Sequence, residues 1–314
     1  MSLLKTNILL KNFSNYRIGG PALFFLEAST EEDLVEGINQ WRAIPNPSKF
    51  FILGGGTNVL FSDEGFDGLV ILNKLSGIEK DWNYIKAASG ESFENLLKFC
   101  IENSLTGLEW AGGLPGTVGG AVRGNAGAFG GETKDSVVKV KSINLSDFSP
   151  EERWKKDLNF SYRDSFFKSG EGEDEFITDV WFGLENGQKS EIESKIEEKI
   201  NYRIKRHPME YPNIGSMFKN IPLESLPQNL QEEFATYVKN DPFPIVPVAK
   251  LLALAGLKGR RVGGAQVSEK HPNFIVNIDN ALSSDVLALM EIEKKEIANK
   301  YGIQLEEEIL ILPQ

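Results

Sequence analysis

The chain has 314 residues, 41% hydrophobic and 25% charged, ordinary globular material but more than one core usually holds, so two or three domains are expected. Its 34 basic and 45 acidic side chains leave a net charge of −11, which argues against sequence-independent nucleic-acid binding, where cations must replace counterions on phosphate. Cys100 is the only cysteine and His207 and His271 the only histidines, so an internal disulfide is impossible and a structural zinc site lacks ligands; no metal is expected.

Residues 1–12 carry Lys5 and Lys11 among short apolar pairs and lack the continuous apolar run and cleavage site of a signal peptide. The longest apolar stretch, 245–256, is interrupted by Lys250 and too short to span a bilayer. A cytoplasmic chain with no membrane partner is expected. Ser29 with Glu32 reads as a capping box opening a helix that carries Leu34, Ile38 and Trp41. Residues 50–53 read as a buried strand running into Gly54-Gly55-Gly56, and 69–72 as another. Ser92 is positioned to cap a helix bearing Leu96, Leu97, Cys100 and Ile101.

From 107 to 132 the chain is glycine-dense with almost no apolar period. Strands are expected again over 137–145 and 176–184. A helix over 190–205 follows, with Ile192, Ile196, Ile200 and Ile204 in one stripe, and His207-Pro208 after it marks a domain boundary. The last third reads as a helix ending at Gly256, a strand over 274–278, a helix over 284–300 and a terminal strand over 303–312. Residues 223–247 read as a loop with one short helix. The expected domains are 1–75, 76–206 and 207–314.

Two glycine clusters carry the strongest local chemistry. Gly54-Gly55-Gly56-Thr57-Asn58 follows a strand, and Pro115-Gly116-Thr117-Val118-Gly119-Gly120 lies in the glycine-dense segment with Asn125 and Gly127. Glycine lets backbone N–H groups converge on a phosphate, and Thr57, Asn58, Ser62 and Asn125 add neutral donors. Either cluster alone is more often a tight turn; both together point to a pyrophosphate. Position 59 is Val, which breaks the Rossmann glycine pattern, and no Gly-Lys dipeptide exists for a P-loop. A bound dinucleotide therefore requires another fold.

Six segments in order complete the pattern: NFSNYRIGGPA at 12–22, LGGGTNVLFSDEGFDGLV at 53–70, GLEWAGGLPGTVGGAVRGNAGAFGGE at 107–132, SYRDS at 161–165, EYPNIGSMFKN at 210–220 and AGLKGRRVGGAQVSEKHPNFIVN at 255–277. Along nearly its whole length the chain resembles the UDP-N-acetylenolpyruvoylglucosamine reductase (MurB) family, and the short stretch between Arg163 and Ser216 resembles the type lacking an extra tyrosine-bearing loop. The resemblance implies an α+β chain with a two-subdomain FAD-binding fold of the vanillyl-alcohol-oxidase (PCMH) type, then a smaller α+β substrate domain. It also implies non-covalent FAD, NADPH as donor and UDP-N-acetylglucosamine enolpyruvate as acceptor. The chain departs from the family's pattern with His207 where Gln is commoner, with a longer 223–247 segment, and with a short tail after Glu308.

By the same resemblance Arg163 polarises the substrate carboxylate, Ser216 delivers a proton to the carbanion and Glu308 is the third catalytic member. A fixed guanidinium fork suits a developing carboxylate dianion; without the motif, Arg163 would read as a surface partner of Asp164. Ser216 after Gly215 equally fits a turn or cap. Alternation in 303–312 puts Glu306, Glu308, Leu310 and Leu312 on one face, where a carboxyl beside Leu310 would be partly desolvated and able to carry a proton. Residue pattern alone does not choose among Glu306, Glu307 and Glu308. Tyr211, Lys219, Asn220, Lys250 and Lys270 are candidates for the substrate's diphosphate and sugar, with Lys219 also within reach of helping Ser216. His271 is not assigned as a base. The rival readings are an alcohol oxidase or dehydrogenase on the same fold, which has no need of Ser216, and a non-catalytic binding module.

Overall fold

The computed structural model describes residues 2–47, 49–81, 84–168 and 171–313. The chain divides into two compact units: Met1–Ile8, Ala22–Gly55 and Asp67–Asn201 form the first, and Leu9–Pro21, Gly56–Phe66 and Tyr202–Gln314 the second. The cut between Gly55 and Gly56 falls inside the first glycine cluster.

Among the described residues the first unit has two large sheets and two cores. One sheet orders its strands Lys5–Leu9, Pro21–Ala28, Phe66–Asn73, Lys49–Leu53, the last two pairing parallel with Leu53 opposite Leu72. Within Phe66–Asn73 the run Leu69, Val70, Ile71 and Leu72 is continuously apolar and buried, as a strand covered on both faces must be. Helix Glu31–Arg42 buries Leu34, Ile38 and Trp41 with Leu26, Leu69 and Ile71, each large side chain contributing roughly 1.5–3 kcal/mol. The helix starts one residue later than Ser29 suggested. Thr30 is the cap: its hydroxyl accepts the Asp33 N–H at 3.1 Å and Asp33 returns the bond to the Thr30 N–H at 3.1 Å. Both spacings satisfy the capping pattern, and only the backbone register separates them.

The other sheet is antiparallel, ordered Pro150–Trp154, Val137–Asn144, Glu175–Phe182, Tyr84–Ala88, Ile78–Asp81. Its core takes Leu96, Leu97 and Cys100 from helix Phe93–Glu102, capped as expected by Ser92. The glycine-dense segment is more regular than its composition suggests, holding helix Val118–Arg123 and a two-stranded turn, Gly127–Ala128 with Gly131–Glu132. Helix Lys189–Arg206 buries Ile192 and Ile196, but Ile204 is 57% exposed. The isoleucine stripe is covered only as far as the first unit extends, to Asn201.

The second unit is built on helix Ser283–Tyr301, whose Val286, Leu289, Met290 and Ile297 face a core containing Tyr16, Phe218, Phe234, Leu251 and Ile275. Residues 223–247 hold the expected short helix, Gln228–Phe234, and add strand Pro244–Val246, paired with Lys239–Asn240 on one side and Ile221–Pro222 on the other, so that Leu230, Phe234 and Val246 are buried. The terminal strand is shorter than expected. Only Leu310–Leu312 is regular, pairing parallel with Val59–Phe61. Over 303–309 the alternation survives as burial: Ile303, Leu305 and Ile309 face inward while Glu306 is exposed and Glu308 half-buried.

Candidate active site

The first glycine cluster begins where strand Lys49–Leu53 ends. A Cβ on Gly54 would meet Thr117 Oγ1 at 2.6 Å, and one on Gly56, at φ +62°, would meet the Phe13 carbonyl at 2.0 Å, so only glycine fits either position. The N–H groups of Gly55, Gly56 and Thr57 reach no acceptor among the described residues. Thr117 caps helix Val118–Arg123 by accepting the Gly120 N–H at 3.3 Å, and Gly119 donates to the Ser89 carbonyl. Pro115 and Gly116, the latter at φ +111°, lead into that cap. Backbone donors without side-chain obstruction are what a diphosphate requires, so the residues present fit one.

The other predicted residues already have partners within the protein. Asn58 donates from Nδ2 to the Glu308 carbonyl at 3.1 Å. Ser62 accepts the Glu64 N–H at 3.1 Å. Asn125 is fully buried and bonded to Glu132, Ser161 and Lys134. Gly127 offers its carbonyl to Arg163 Nη2 at 3.0 Å. Arg163 itself sits at φ +59° in a tight turn closed by reciprocal Ser161 and Asp164 backbone bonds, its guanidinium 5.0 Å from the Tyr162 ring centre.

In the second unit, Ser216 and Glu308 come together through backbone pairing. Glu308 donates its N–H to the Met217 carbonyl at 2.8 Å, and Lys219 donates to the Glu306 carbonyl at 2.8 Å. On the other side of the same segment the Leu310 N–H reaches the Asn58 carbonyl. The Lys219 ammonium is tied to the Glu306 carboxylate, and Lys294 bridges Glu307 at 2.7 Å and Glu291 at 2.9 Å. The two carboxylates that precede Glu308 are therefore each paired with a cation.

Two asparagines that were not sequence candidates hold the backbone on either side of Ser216. Asn213 accepts the Gly215 N–H at 3.1 Å, while Asn273 accepts the Phe218 N–H and returns a bond to the Phe218 carbonyl at 2.8 Å. Two buried asparagines flanking one serine are a positional signal visible only after folding. The remaining candidates are dispersed. Asn220 caps helix Val248–Leu254 by accepting the Val248 N–H at 3.2 Å, and Lys250 lies 4.2 Å from the Tyr237 ring centre. Lys270 pairs with Glu210 at 2.8 Å, and Tyr211 is 44% exposed.

The histidines form a ring cluster with Phe274, His207 to His271 at 5.3 Å and His271 to Phe274 at 4.8 Å between centres. Burial, reinforced by Arg203, pushes His207 down to about 4. Burial first, then His207 and neighbouring lysines, pushes His271 down to about 3. Both are neutral at pH 7 and pack as aromatic rings. Among the described residues no helix is long and apolar enough to cross a membrane.

Comparison with known proteins matches this arrangement. Residues 207–312 match the family model of the UDP-N-acetylenolpyruvoylglucosamine reductase C-terminal domain, and residues 22–147 that of an FAD binding domain. The UDP-N-acetylenolpyruvoylglucosamine reductase of Caldanaerobacter subterraneus subsp. tengcongensis is 36% identical, covering 98% of this chain and 93% of that one. Its counterpart from Chlamydia trachomatis serovar A is 37% identical, covering 99% and 96%. The crystal structure of the reductase (MurB) from Thermus caldophilus superposes with a TM-score of 0.77 at 29% identity, covering 99% of each chain. The fold is thus the expected α+β one, with an FAD-binding part followed by the reductase C-terminal domain. The chain belongs to the UDP-N-acetylenolpyruvoylglucosamine reductase family, FAD-dependent oxidoreductases of peptidoglycan precursor synthesis.

Proposed function

We propose that the chain reduces UDP-N-acetylglucosamine enolpyruvate to UDP-N-acetylmuramate in the cytoplasm, with NADPH as donor and FAD held non-covalently. Bound FAD supplies the hydride relay from nicotinamide to the vinyl ether. Residues 1–75 and 76–206 are assigned to the flavin and 207–314 to the substrate. The turn at Gly54, Gly55, Gly56 and Thr57 is assigned to the diphosphate, and Pro115, Gly116, Thr117, Gly119 and Gly120 to the same cofactor. Neither cluster contains a Cys or His that would bond the flavin covalently.

Hydride addition at the terminal vinyl carbon leaves charge on the neighbouring carbon and its carboxylate, which then needs a cation and a proton. Arg163 supplies the cation, Ser216 the proton, and Glu308 the carboxyl that assists it. Lys219, Asn220, Lys250, Lys270 and Tyr211 serve the nucleotide sugar. The observation that carries this reading is the Glu308 N–H bond to Met217, which makes Ser216 and Glu308 near neighbours across one backbone pair. Mass spectrometry of the product tests it. One NADPH consumed for each nucleotide sugar that gains two hydrogens supports the assignment; NADPH oxidation with the sugar unchanged refutes it.

A further inference from the structure

We infer that Asn125, seconded by Ser165, is a positioning residue for Arg163 and not a flavin ligand. The inference rests on the role proposed for Arg163. Alternate residues of one segment grip the arginine turn. The Arg123 carbonyl accepts Ser165 Oγ at 2.8 Å, Asn125 Nδ2 donates to the Ser161 carbonyl at 2.8 Å, and the Gly127 carbonyl accepts Arg163 Nη2 at 3.0 Å.

Asn125 is the centre of this suture. It is fully buried at φ +40°, a region asparagine tolerates better than other side-chain-bearing residues. An amide has two N–H donors and one carbonyl. Here one donor goes to Ser161 and another to Glu132 Oε1 at 3.0 Å, while Oδ1 accepts the Lys134 N–H at 3.0 Å. No donor remains for a phosphate. Glu132 is itself 3% exposed and pinned by Lys134 Nζ at 2.5 Å, so the amide cannot swing away.

What is held in this way is strained. Arg163 at φ +59° lies in the left-handed region, which disfavours any side chain with a Cβ. Such a conformation persists only where surrounding contacts over-determine it. Lys168 Nζ adds a bond to the Arg163 carbonyl at 2.6 Å. The turn fixes where the guanidinium points, and Asn125 fixes the turn.

The test uses holoenzyme carrying Asn125→Gly, which deletes the amide without adding backbone strain at positive φ, and Ser165→Ala as a second variant should the first fail to fold. Flavin is pre-reduced with dithionite and reoxidised anaerobically by the enolpyruvyl nucleotide sugar; its reduction by NADPH and FAD affinity by fluorescence are measured separately. Misplacement by about 1 Å slows reoxidation about 10- to 100-fold. The expected result is that loss in each variant, with NADPH reduction and FAD affinity within about 2-fold of wild type, and with Asn125→Gly adding nothing to Arg163→Lys. Unchanged reoxidation in the variants beside a slow Arg163→Lys overturns the positioning role alone. Lost FAD affinity makes Asn125 a flavin ligand and overturns it too. Normal reoxidation in Arg163→Lys overturns the reading of Arg163 and the inference with it.

Discussion

Glu293 is fully buried in helix Ser283–Tyr301, and neither carboxyl oxygen has a hydrogen-bond partner among the described residues. Burial pushes its pKa well above the ordinary 4.5; Tyr16 is raised first by its own burial and then by the Glu293 carboxyl. Replacing it with Met keeps an unbranched, helix-favouring side chain and removes the stranded polar group. Leaving such a group buried costs about 1–3 kcal/mol, so Glu293→Met should stabilise the fold by that amount. At about 2–4 °C per kcal/mol, the melting midpoint should rise on the order of 5 °C. The pH dependence has a definite sign. For an acid whose folded pKa is raised, the unfolded chain loses its proton first, so stability is whole below about pH 4.5 and declines as pH climbs towards the folded pKa. The gain from Glu293→Met should therefore be larger at pH 8 than at pH 5. Thermal melts of the two proteins at both pH values decide the matter. An equal or lower midpoint for the variant, or a gain that shrinks with rising pH, refutes the picture of a neutral, unpartnered carboxyl.

The histidine cluster predicts the opposite slope. His207 and His271 are pushed down from 6.5 to about 4 and about 3, so their contribution is present above pH 6.5 and lost as pH falls through those values. His207→Gln should flatten the acid side of a midpoint-against-pH curve below pH 6; an unchanged acid limb would contradict it. Gly54→Ala forces a Cβ to 2.6 Å from Thr117 Oγ1, so FAD affinity measured by fluorescence titration should fall at least about 10-fold while circular dichroism stays native. Ser216→Ala should lower kcat by about 10²- to 10⁴-fold with flavin reduction by NADPH intact, a split that stopped-flow absorbance resolves.

What could be read beforehand was local. Ser92, the strand ending at Leu53 and the two glycine clusters declare themselves within a few residues, because caps and positive-φ turns need particular side chains. The family motifs identified Arg163, Ser216 and Glu308 as candidates. Distant partners were not legible. In the 223–247 segment the short helix was legible but the strands were not, because the surfaces that bury Val246 come from remote residues. Glu293 resembles any surface carboxylate of a charged helix until the core closes around it. Asn125 read as a phosphate donor because its actual acceptors, Glu132 and Ser161, become neighbours only once the segments around them have folded.

Anaerobic absorption spectroscopy of the purified protein tests flavin-mediated reduction most directly. An oxidised flavin spectrum should bleach on addition of NADPH and return when UDP-N-acetylglucosamine enolpyruvate is added. Bleaching without return would contradict the proposed acceptor. A colourless protein that cannot be reconstituted with FAD would contradict the flavoenzyme itself.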